Sequence, residues 1–477
     1  MVVARSGGRS ARGLGYGQAV LVNRLLEAAR SSGHVHRELA RRARDAVRRP
    51  IVVVPPVLGV RLVDDRGRTM WGATPRLLFT AGQTLGPLAD ARPDGHLAGF
   101  TLVPRLYERD VLAGLVRYLE RIYGAREGED LFVLAYDWRR PLAEGARELA
   151  RLLARIRGAS DAQVDLIGIS SGGNVIRSFL AGDPDEDLVL GPAIGAIHRV
   201  VYLGTPHRGN VGGFGYLVEG IQIFGVRPDG PTLQRRCPSI FDLLPHPDER
   251  IFVDAHGDRL ELDHLDPRTW RELRLPGHDR PELAADLARA RAEHRRVARV
   301  PHPPSVVIAD RHRPTDARAV ILDGALVIPC ASCKGDPERY PYAFEPGDGV
   351  VPAATMAAAP GLSADGPWWV NTSEHARIAT DAHVHPLVVE ALLSPHKPVP
   401  RERYLWPRNP NLRGVVPPED PEAPEDKAPR PLSRPSDETA RSRSSRRRPS
   451  ARTPGADGRR GPRTRPCLLY TSPSPRD

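Results

Sequence analysis

The chain has 477 residues, of which 40% are hydrophobic, and a formal net charge of +11. This length allows one large domain or two. Most of the charge lies near the end of the chain, because fourteen basic and four acidic residues from Lys427 onward supply +10 of the total. Residues 1–426 are therefore almost neutral, and their charge balance gives no indication of nucleic-acid binding.

The sequence contains no clear transmembrane segment or secretory signal. No apolar run reaches the roughly 18 residues of a spanning helix, so we expect no transmembrane segment. The N-terminal arginines precede no compact apolar stretch, so no secretory signal is visible, and we expect a cytoplasmic or peripheral membrane protein. The Arg-, Ala-, Pro- and Gly-rich composition suggests a GC-rich bacterial coding sequence.

The four cysteines are too few for a disulfide framework in a chain of this length. Cys330 and Cys333 form a lone CxxC, whereas a structural zinc site needs four ligands. We therefore interpret these two residues as buried or loop thiols. We predict no metal and no cofactor.

The C-terminal segment is predicted to lie outside the folded domain. Residues 411–477 are rich in Arg, Pro and Ser and too polar to build a core, so we expect disorder. The last eleven residues, CLLYTSPSPRD, match an in-frame translation of a transposon-type sequencing adapter. Residues 467–477 are therefore expected to be a sequencing artefact.

Apolar periodicity predicts alternating strands and helices upstream of this tail. Residues 1–48 are expected to form one or two amphipathic helices, followed by a main domain over residues 49–410. The predicted strands of the main domain are Ile51–Pro55, Leu131–Ala135, Val164–Ile167, Ala196–Leu203, Val306–Ala309 and Trp368–Val370. The predicted helices between them include Val111–Tyr123 and Leu142–Ile156. This alternation predicts an α/β fold with a mostly parallel sheet covered on both faces.

Residues 210–300 break the alternation and are predicted to form an inserted cap. They contain six large apolar residues within eleven positions, which are more than a solvated loop needs. The cluster either packs on the core or forms a lipid-facing lid. Its members are Phe214, Tyr216, Leu217, Ile221, Ile223 and Phe224.

The most informative stretch reads VDLIGISSGGNVIRSFL, from Val164 to Leu180. It predicts a strand, a sharp turn at GISSG and a helix, which is the arrangement that exposes a nucleophilic serine. The small residues Gly168 and Gly172 allow the tight backbone that presents Ser170. The amide of Ser171 lies free at the start of the helix, where partial positive charge stabilises an oxyanion.

A nucleophilic serine needs a general base and an acid that orients it, in the chain order Ser, acid, His. Asp348 lies in a glycine-flanked loop and is the predicted acid, with a solvated turn aspartate as the alternative. His375 follows the last strand at loop distance and is the predicted base. His383 is the next choice, and His385 precedes a helix that it suits as a starting residue.

The oxyanion hole needs a second amide from the loop after the first strand. Val57 or Leu58 is placed to supply it, whereas Pro56 has no N–H. At the end of the next strand, Asp137 and Arg139 are most simply an ion pair, and Trp138 is a candidate for lining an acyl pocket. Trp138 and Leu58 are the predicted substrate-binding residues.

Taken together, these residues resemble the lecithin:cholesterol acyltransferase-like family, particularly its bacterial members. The ordered set of matching motifs lies between residues 51 and 394 and consists of VVVPPVLGVRL, YDWR, DLIGISSGG, GTPHRG, PSIFDLLP, GDGVVP and SEHARI. The resemblance implies an α/β-hydrolase core with Ser170, Asp348 and His375 as the triad. It also implies that the amides of Val57 and Ser171 form the oxyanion hole. It further implies ester hydrolysis or acyl transfer on lipids through an acyl-serine.

The sequence departs from the family pattern at three places. Pro56 replaces the loop glycine, Ile169 replaces the histidine often found before the nucleophile, and residues 62–103 lack the cysteines of a disulfide-tied lid. Lipid access and preference are therefore expected to differ from those of the secreted animal enzymes. From the resemblance, the expected substrate is a lipid or other ester, with access at a membrane surface as one option. The alternatives are a small-ester hydrolase on the same fold and an inactive lipid-binding or scaffold protein.

Overall fold

The structure is a computed structural model, and it divides the chain into two units. All described residues belong to the first unit, whereas the second, Leu405–Arg463, lies outside them. The described residues are 33–72, 90–97, 99–103, 107–159, 163–182, 194–221, 228–298, 300–329, 336–362, 366–372 and 374–393. The predictions for residues 1–32, for Cys330 and Cys333, and for the C-terminal tail fall outside these ranges.

Six parallel strands form the main sheet of the described part of the chain. In chain order they are β1 (Ile51–Val54), β7 (Leu131–Val133), β8 (Val164–Ile169), β9 (Ile197–Leu203), β11 (Ser305–Asp310) and β16 (Trp368–Val370). Their order across the sheet is β16-β11-β9-β8-β1-β7. All six strands that the sequence predicts are therefore present, with ends within two residues of those expected, and the α/β prediction is confirmed.

The central strands are apolar because both of their faces are covered. Every residue of β1, β8 and β11 is buried. The register places Gly168 of β8 beside Val54 of β1 and beside Tyr202 of β9. The carboxyl ends of these three strands therefore meet at one edge, where ligands bind in open parallel sheets.

The remaining strands form small sheets around this core. They are β2 (Val60–Val63), β3 (Thr69–Trp71), β4 (Arg92–His96), β5 (Gly99–Val103), β6 (Tyr107–Asp110), β10 (Phe252–Val253), β12 (Arg313–Asp316), β13 (Ala319–Leu322), β14 (Ala325–Val327) and β15 (Phe344–Gly347). The antiparallel pair of β12 and β15 positions the functional site, because Asp348 follows β15 directly.

Helices flank the main sheet and form the cap. Residues 33–45 are helical, and within this helix Arg42 pairs with buried Glu390 at 2.6 Å. The other α-helices are Ala113–Tyr118, Leu142–Ala159, Ser171–Leu180, Val211–Glu219, Gly230–Arg236, Pro267–Glu272, Leu283–Val297, Asp336–Arg339, Ala353–Ala357 and Val384–Leu393. A wider helical turn over Leu119–Tyr123 and short turns at Pro238–Leu243, Pro341–Ala343 and His375–Arg377 complete the described elements. None of the described helices is both long and apolar enough to cross a bilayer.

The start of the cap is part of the core. Phe214 is fully buried, with its ring centroid 5.6 Å from that of Phe252 and 5.8 Å from that of Trp270. Leu217 and Ile221 are also buried in the cluster that includes the sheet residues. These contacts support core packing for this part of the apolar cluster. Ile223 and Phe224 lie outside the described residues.

Candidate active site

Ser170 occupies a sharp turn between β8 and the helix Ser171–Leu180. Its backbone is strained, with φ of 50° and ψ of −126°, a conformation that non-glycine residues rarely adopt. The Ser170 amide donates to the Leu203 carbonyl at 2.7 Å, which ties the turn to the end of β9. The strand-turn-helix predicted from the sequence is therefore present, and Ser170 stands at the sheet edge.

Three glycines make this turn possible because neighbouring chain segments leave no room for a side chain. A Cβ on Gly168 would lie 2.6 Å from Cα of Gly173, and one on Gly172 would lie 2.1 Å from the Val54 carbonyl oxygen. A Cβ on Gly173 would lie 2.1 Å from Oγ1 of Thr205. The glycines thus allow the helix to begin directly against the ends of β1 and β9.

The structure brings Ser170, His375 and Asp348 into one hydrogen-bonded series. Oγ of Ser170 lies 2.8 Å from Nε2 of His375, although the residues are 205 positions apart. Nδ1 of the same imidazole lies 2.5 Å from Oδ2 of Asp348. The Gly204 backbone passes close by, since a Cβ there would be 3.4 Å from Cε1 of His375. The His375 side chain is 10% exposed, and that of Asp348 is fully buried.

Asp348 is held in place by its own loop. Its Oδ1 accepts from the amides of Val350 and Val351 at 3.0 and 2.7 Å. Its backbone carbonyl accepts from the His375 amide at 3.0 Å. The carboxylate and the histidine loop are therefore fixed to each other by main chain as well as by side chain.

The other two candidate histidines have different partners. Nδ1 of His383 pairs with Oδ1 of Asp381 at 2.8 Å, and this imidazole is half exposed. Nε2 of His385 is buried and lies 2.9 Å from the Ala379 carbonyl. Of the three candidates, His375 is the one that contacts Ser170.

The loop that carries His375 is held in place by Asp310, a residue that the sequence analysis did not identify. Asp310, the last residue of β11, accepts from the Thr372 amide at 2.6 Å and from its hydroxyl at 3.1 Å. His312 also donates to Asp310, through its amide and, at 2.9 Å, through Nδ1. Burial alone would raise the pKa of Asp310, but these hydrogen bonds outweigh it and lower that pKa. The hydrogen bond to Asp310 raises the pKa of His312.

The loop after β1 reaches the nucleophile turn. Pro56–Gly59 forms a turn in which the Gly59 amide donates to the Pro56 carbonyl at 2.9 Å, and Leu58 has a φ of 69°. The Val57 amide donates to the hydroxyl of Ser171 at 2.7 Å. Val57 and Ser171, the two residues predicted to supply oxyanion amides, are therefore in contact. The contact joins the Val57 amide to the Ser171 side chain.

The YDWR segment braces this loop. The hydroxyl of Tyr136 donates to the Pro55 carbonyl at 2.8 Å. Nε1 of Trp138 donates to the Val60 carbonyl at 3.1 Å, and its ring packs on Trp71 with centroids 5.3 Å apart. Since Trp138 is only 2% exposed, its contacts support the loop, and its role in an acyl pocket stays a prediction.

The predicted ion pair of the same segment is confirmed, because Arg139 contacts both carboxylate oxygens of Asp137, at 2.8 and 2.7 Å. Within the described ranges, no three His, Cys, Asp or Glu side chains are grouped as metal ligands.

Comparison with known proteins gives one family match. The family model of lecithin:cholesterol acyltransferase matches residues 91–264, which include Ser170. No curated protein matches the chain.

Several solved structures are similar to the chain at low sequence identity. A chain of the Tle4-Tli4 complex has 10% identity and a TM-score of 0.49, covering 73% of this chain and 98% of that one. Lipase BlEst2 of Bacillus licheniformis, in mature form, has 13% identity and a TM-score of 0.34, covering 72% and 92%. Phospholipase PlaB of Legionella pneumophila has 11% identity and a TM-score of 0.25, covering 56% and 39%. Residues 91–264 of the chain, which include the serine turn, are therefore similar to the lecithin:cholesterol acyltransferase family.

Proposed function

We propose that this protein is a serine-dependent lipid-ester hydrolase or acyltransferase that works through an acyl-serine. One observation carries the proposal: Ser170 Oγ lies 2.8 Å from Nε2 of His375, whose Nδ1 lies 2.5 Å from buried Asp348. A serine, a histidine and a carboxylate in this sequence of contacts match the roles of nucleophile, base and orienting acid.

In the first half of the reaction, His375 takes the Ser170 proton at Nε2 while Oγ bonds to the ester carbonyl carbon. The carbonyl electron pair moves onto its oxygen, which becomes the oxyanion. Asp348 keeps the hydrogen of His375 on Nδ1, so Nε2 has a free lone pair for the serine proton. When the tetrahedral intermediate collapses, His375 gives this proton to the leaving alcohol, and the acyl group remains on Ser170.

In the second half, an acceptor hydroxyl replaces the leaving alcohol. His375 removes its proton, the acceptor oxygen attacks the acyl carbon, and the Ser170 oxygen leaves with the proton. Water as the acceptor gives hydrolysis, and an alcohol gives acyl transfer. The balance depends on how well water is excluded from the site.

The lipid substrate class rests on the family match, since the lecithin:cholesterol acyltransferase family acts on lipid esters. The Asp137–Arg139 pair and the Trp138 packing are assigned a structural role in this proposal, because their polar atoms contact protein groups.

A fluorophosphonate probe tests the serine mechanism directly. It should phosphonylate wild-type protein with loss of fluoride and leave Ser170→Ala unlabelled. The same variant should lose about 10⁶-fold in turnover of any ester substrate, as other serine triads do. Retention of more than a tenth of the wild-type rate by Ser170→Ala would rule out the serine mechanism.

The base is tested by a matched pair of histidine variants. His375→Ala should be as damaging as Ser170→Ala, whereas His383→Ala should retain activity because His383 pairs with Asp381 on a half-exposed surface. The reverse ranking would show that another histidine is the base.

A substrate panel defines the reaction. Short p-nitrophenyl esters, long-chain esters and phospholipid vesicles should be compared with and without an added long-chain alcohol. A new ester of that alcohol indicates acyl transfer, and free fatty acid alone indicates hydrolysis. Turnover of short soluble esters only would favour the small-ester hydrolase alternative.

A further inference from the structure

The side chain of Ser171 contacts one of the two amides expected to bind an oxyanion, that of Val57. Its Oγ accepts a 2.7 Å hydrogen bond from the Val57 amide, although the two residues are 114 positions apart. Ser171 occupies the second variable position of the GxSxG turn, where the turn itself requires no hydroxyl. The contact is therefore a feature of this chain.

A backbone amide has a single hydrogen, and that of Val57 is directed at the Ser171 hydroxyl. A direct hydrogen bond from Val57 to a substrate oxygen would need this short contact to break or to be shared. The Ser171 amide belongs to the first residue of the helix and lies before the first intrahelical bond, and none of the described residues accepts from it.

The Ser171 hydroxyl still has its own hydrogen to donate. It accepts one hydrogen bond, and the described residues provide it with no second partner. Ser171 is only 2% exposed, so water has little access to the hydroxyl. A buried donor without an acceptor is destabilising, and an acceptor that binds beside it removes this cost.

The geometry points to the substrate oxygen as that acceptor. The hydroxyl and the amide belong to one residue directly after the proposed nucleophile, and the hydroxyl contacts the loop that carries the second predicted oxyanion amide. We propose that the Ser171 hydroxyl is a catalytic oxyanion donor. Val57 N–H polarises it by donating to Oγ, and such chains of hydrogen bonds strengthen one another. The Ser171 O–H bond stays intact throughout. This inference rests on the proposed acyl-serine mechanism.

Ser171→Ala tests the inference on the full-length protein with a soluble ester. Loss of one oxyanion donor typically lowers kcat about 10²–10³-fold, and we expect this loss with KM nearly unchanged. Ser171→Cys should fall between wild type and alanine because a thiol is a weaker donor. The cysteine variant also keeps the test valid if the alanine variant does not fold.

Ser178→Ala is the matched control. Ser178 is a buried serine of the same helix, and its hydroxyl contacts Arg296 at 2.7 Å, away from Ser170. It should retain the wild-type kcat within a few fold, and melting temperatures of all three variants report on structural damage.

A trifluoromethyl ketone separates a catalytic role from a structural one. The Ser170 oxygen attacks the carbonyl carbon of this ketone, and His375 takes the serine proton. The former carbonyl oxygen becomes an oxyanion. The affinity for the ketone should fall by the same factor as kcat/KM in Ser171→Ala and Ser171→Cys. A merely structural role would instead change KM and the melting temperature.

Three results would overturn the inference. They are a Ser171→Ala kcat within about threefold of wild type, a faster variant, and an unchanged affinity for the ketone. A faster variant would mean that the hydroxyl blocks the Val57 amide. If wild type is active, Ser170→Ala is inactive and Ser171→Ala is unimpaired, only this inference fails. If wild type turns over no ester and resists the fluorophosphonate, the proposed function fails.

Discussion

Replacing Asp348 by asparagine tests the proposed triad with almost no change of shape. The asparagine carbonyl can take over Oδ1 and accept from the Val350 and Val351 amides, which lie at 3.0 and 2.7 Å. Its NH₂ group then faces Nδ1 of His375 in place of Oδ2. Because NH₂ is a donor, the imidazole must present a lone pair at Nδ1 and place its hydrogen on Nε2, directed at Ser170.

This tautomer cannot accept the serine proton, so the loss should appear in turnover. The equivalent change in a serine protease triad lowers kcat by about 10⁴-fold, which corresponds to roughly 5.5 kcal/mol of transition-state stabilisation. The cost in folding is smaller, because only the hydrogen bond to a charged group is lost, typically ~1.5–3 kcal/mol. Asp348→Asn should therefore stay folded while its kcat falls by about four orders of magnitude.

Steady-state hydrolysis of a p-nitrophenyl ester measures the loss, and a thermal melt verifies folding. Asp381→Asn is the matched control, because its carboxylate contacts His383 Nδ1 at 2.8 Å in the same way, but at a half-exposed imidazole. It should leave kcat unchanged. A folded Asp348→Asn variant with more than a tenth of wild-type activity would refute the reasoning, as would an equal loss in Asp381→Asn.

Three further predictions concern the turn, the cap and acid stability. Gly172→Ala should lower stability by several kcal/mol or prevent folding, because its Cβ would lie 2.1 Å from the Val54 carbonyl oxygen. The control is Gly158→Ala, where nothing lies within 4 Å of the added Cβ, and it should be neutral or stabilising in a denaturant titration. Phe214→Ala should cost about 3–5 kcal/mol and lower activity on vesicles and short esters alike; selective loss on vesicles would instead indicate a lipid-facing lid. Burial lowers the pKa of His264 to about 4 and that of His294 to about 3, so both are neutral in the folded protein. Their stabilisation is complete above the unfolded pKa of 6.5 and is lost as the pH falls toward those values, at about 1.4 kcal/mol per pH unit for each histidine. The melting temperature should fall between pH 6.5 and pH 5, and a flat profile would contradict this.

Local sequence was sufficient for the parts of the fold that depend on periodicity. The apolar run Val164–Ile167 followed by GISSG predicted the strand and the serine turn, because a buried strand and a helix start have characteristic residue patterns. The same signal located β9 and β11 within one or two residues of their observed ends. It also placed Asp348 and His375 in loops, but not in contact with each other.

Only the tertiary structure decided which side chains meet. The sequence left His375 and His383 as competing bases, and the packing of the loop after β16 brings His375 to Ser170, with Asp310 holding Thr372. The sequence also could not predict that the Val57 amide donates its hydrogen bond to the Ser171 hydroxyl. The physical reason is the same in each case. Periodicity reports whether a residue faces the core or solvent, whereas a hydrogen bond of 2.7 or 2.8 Å between residues more than a hundred positions apart depends on how the ends of parallel strands are brought together by the sheet.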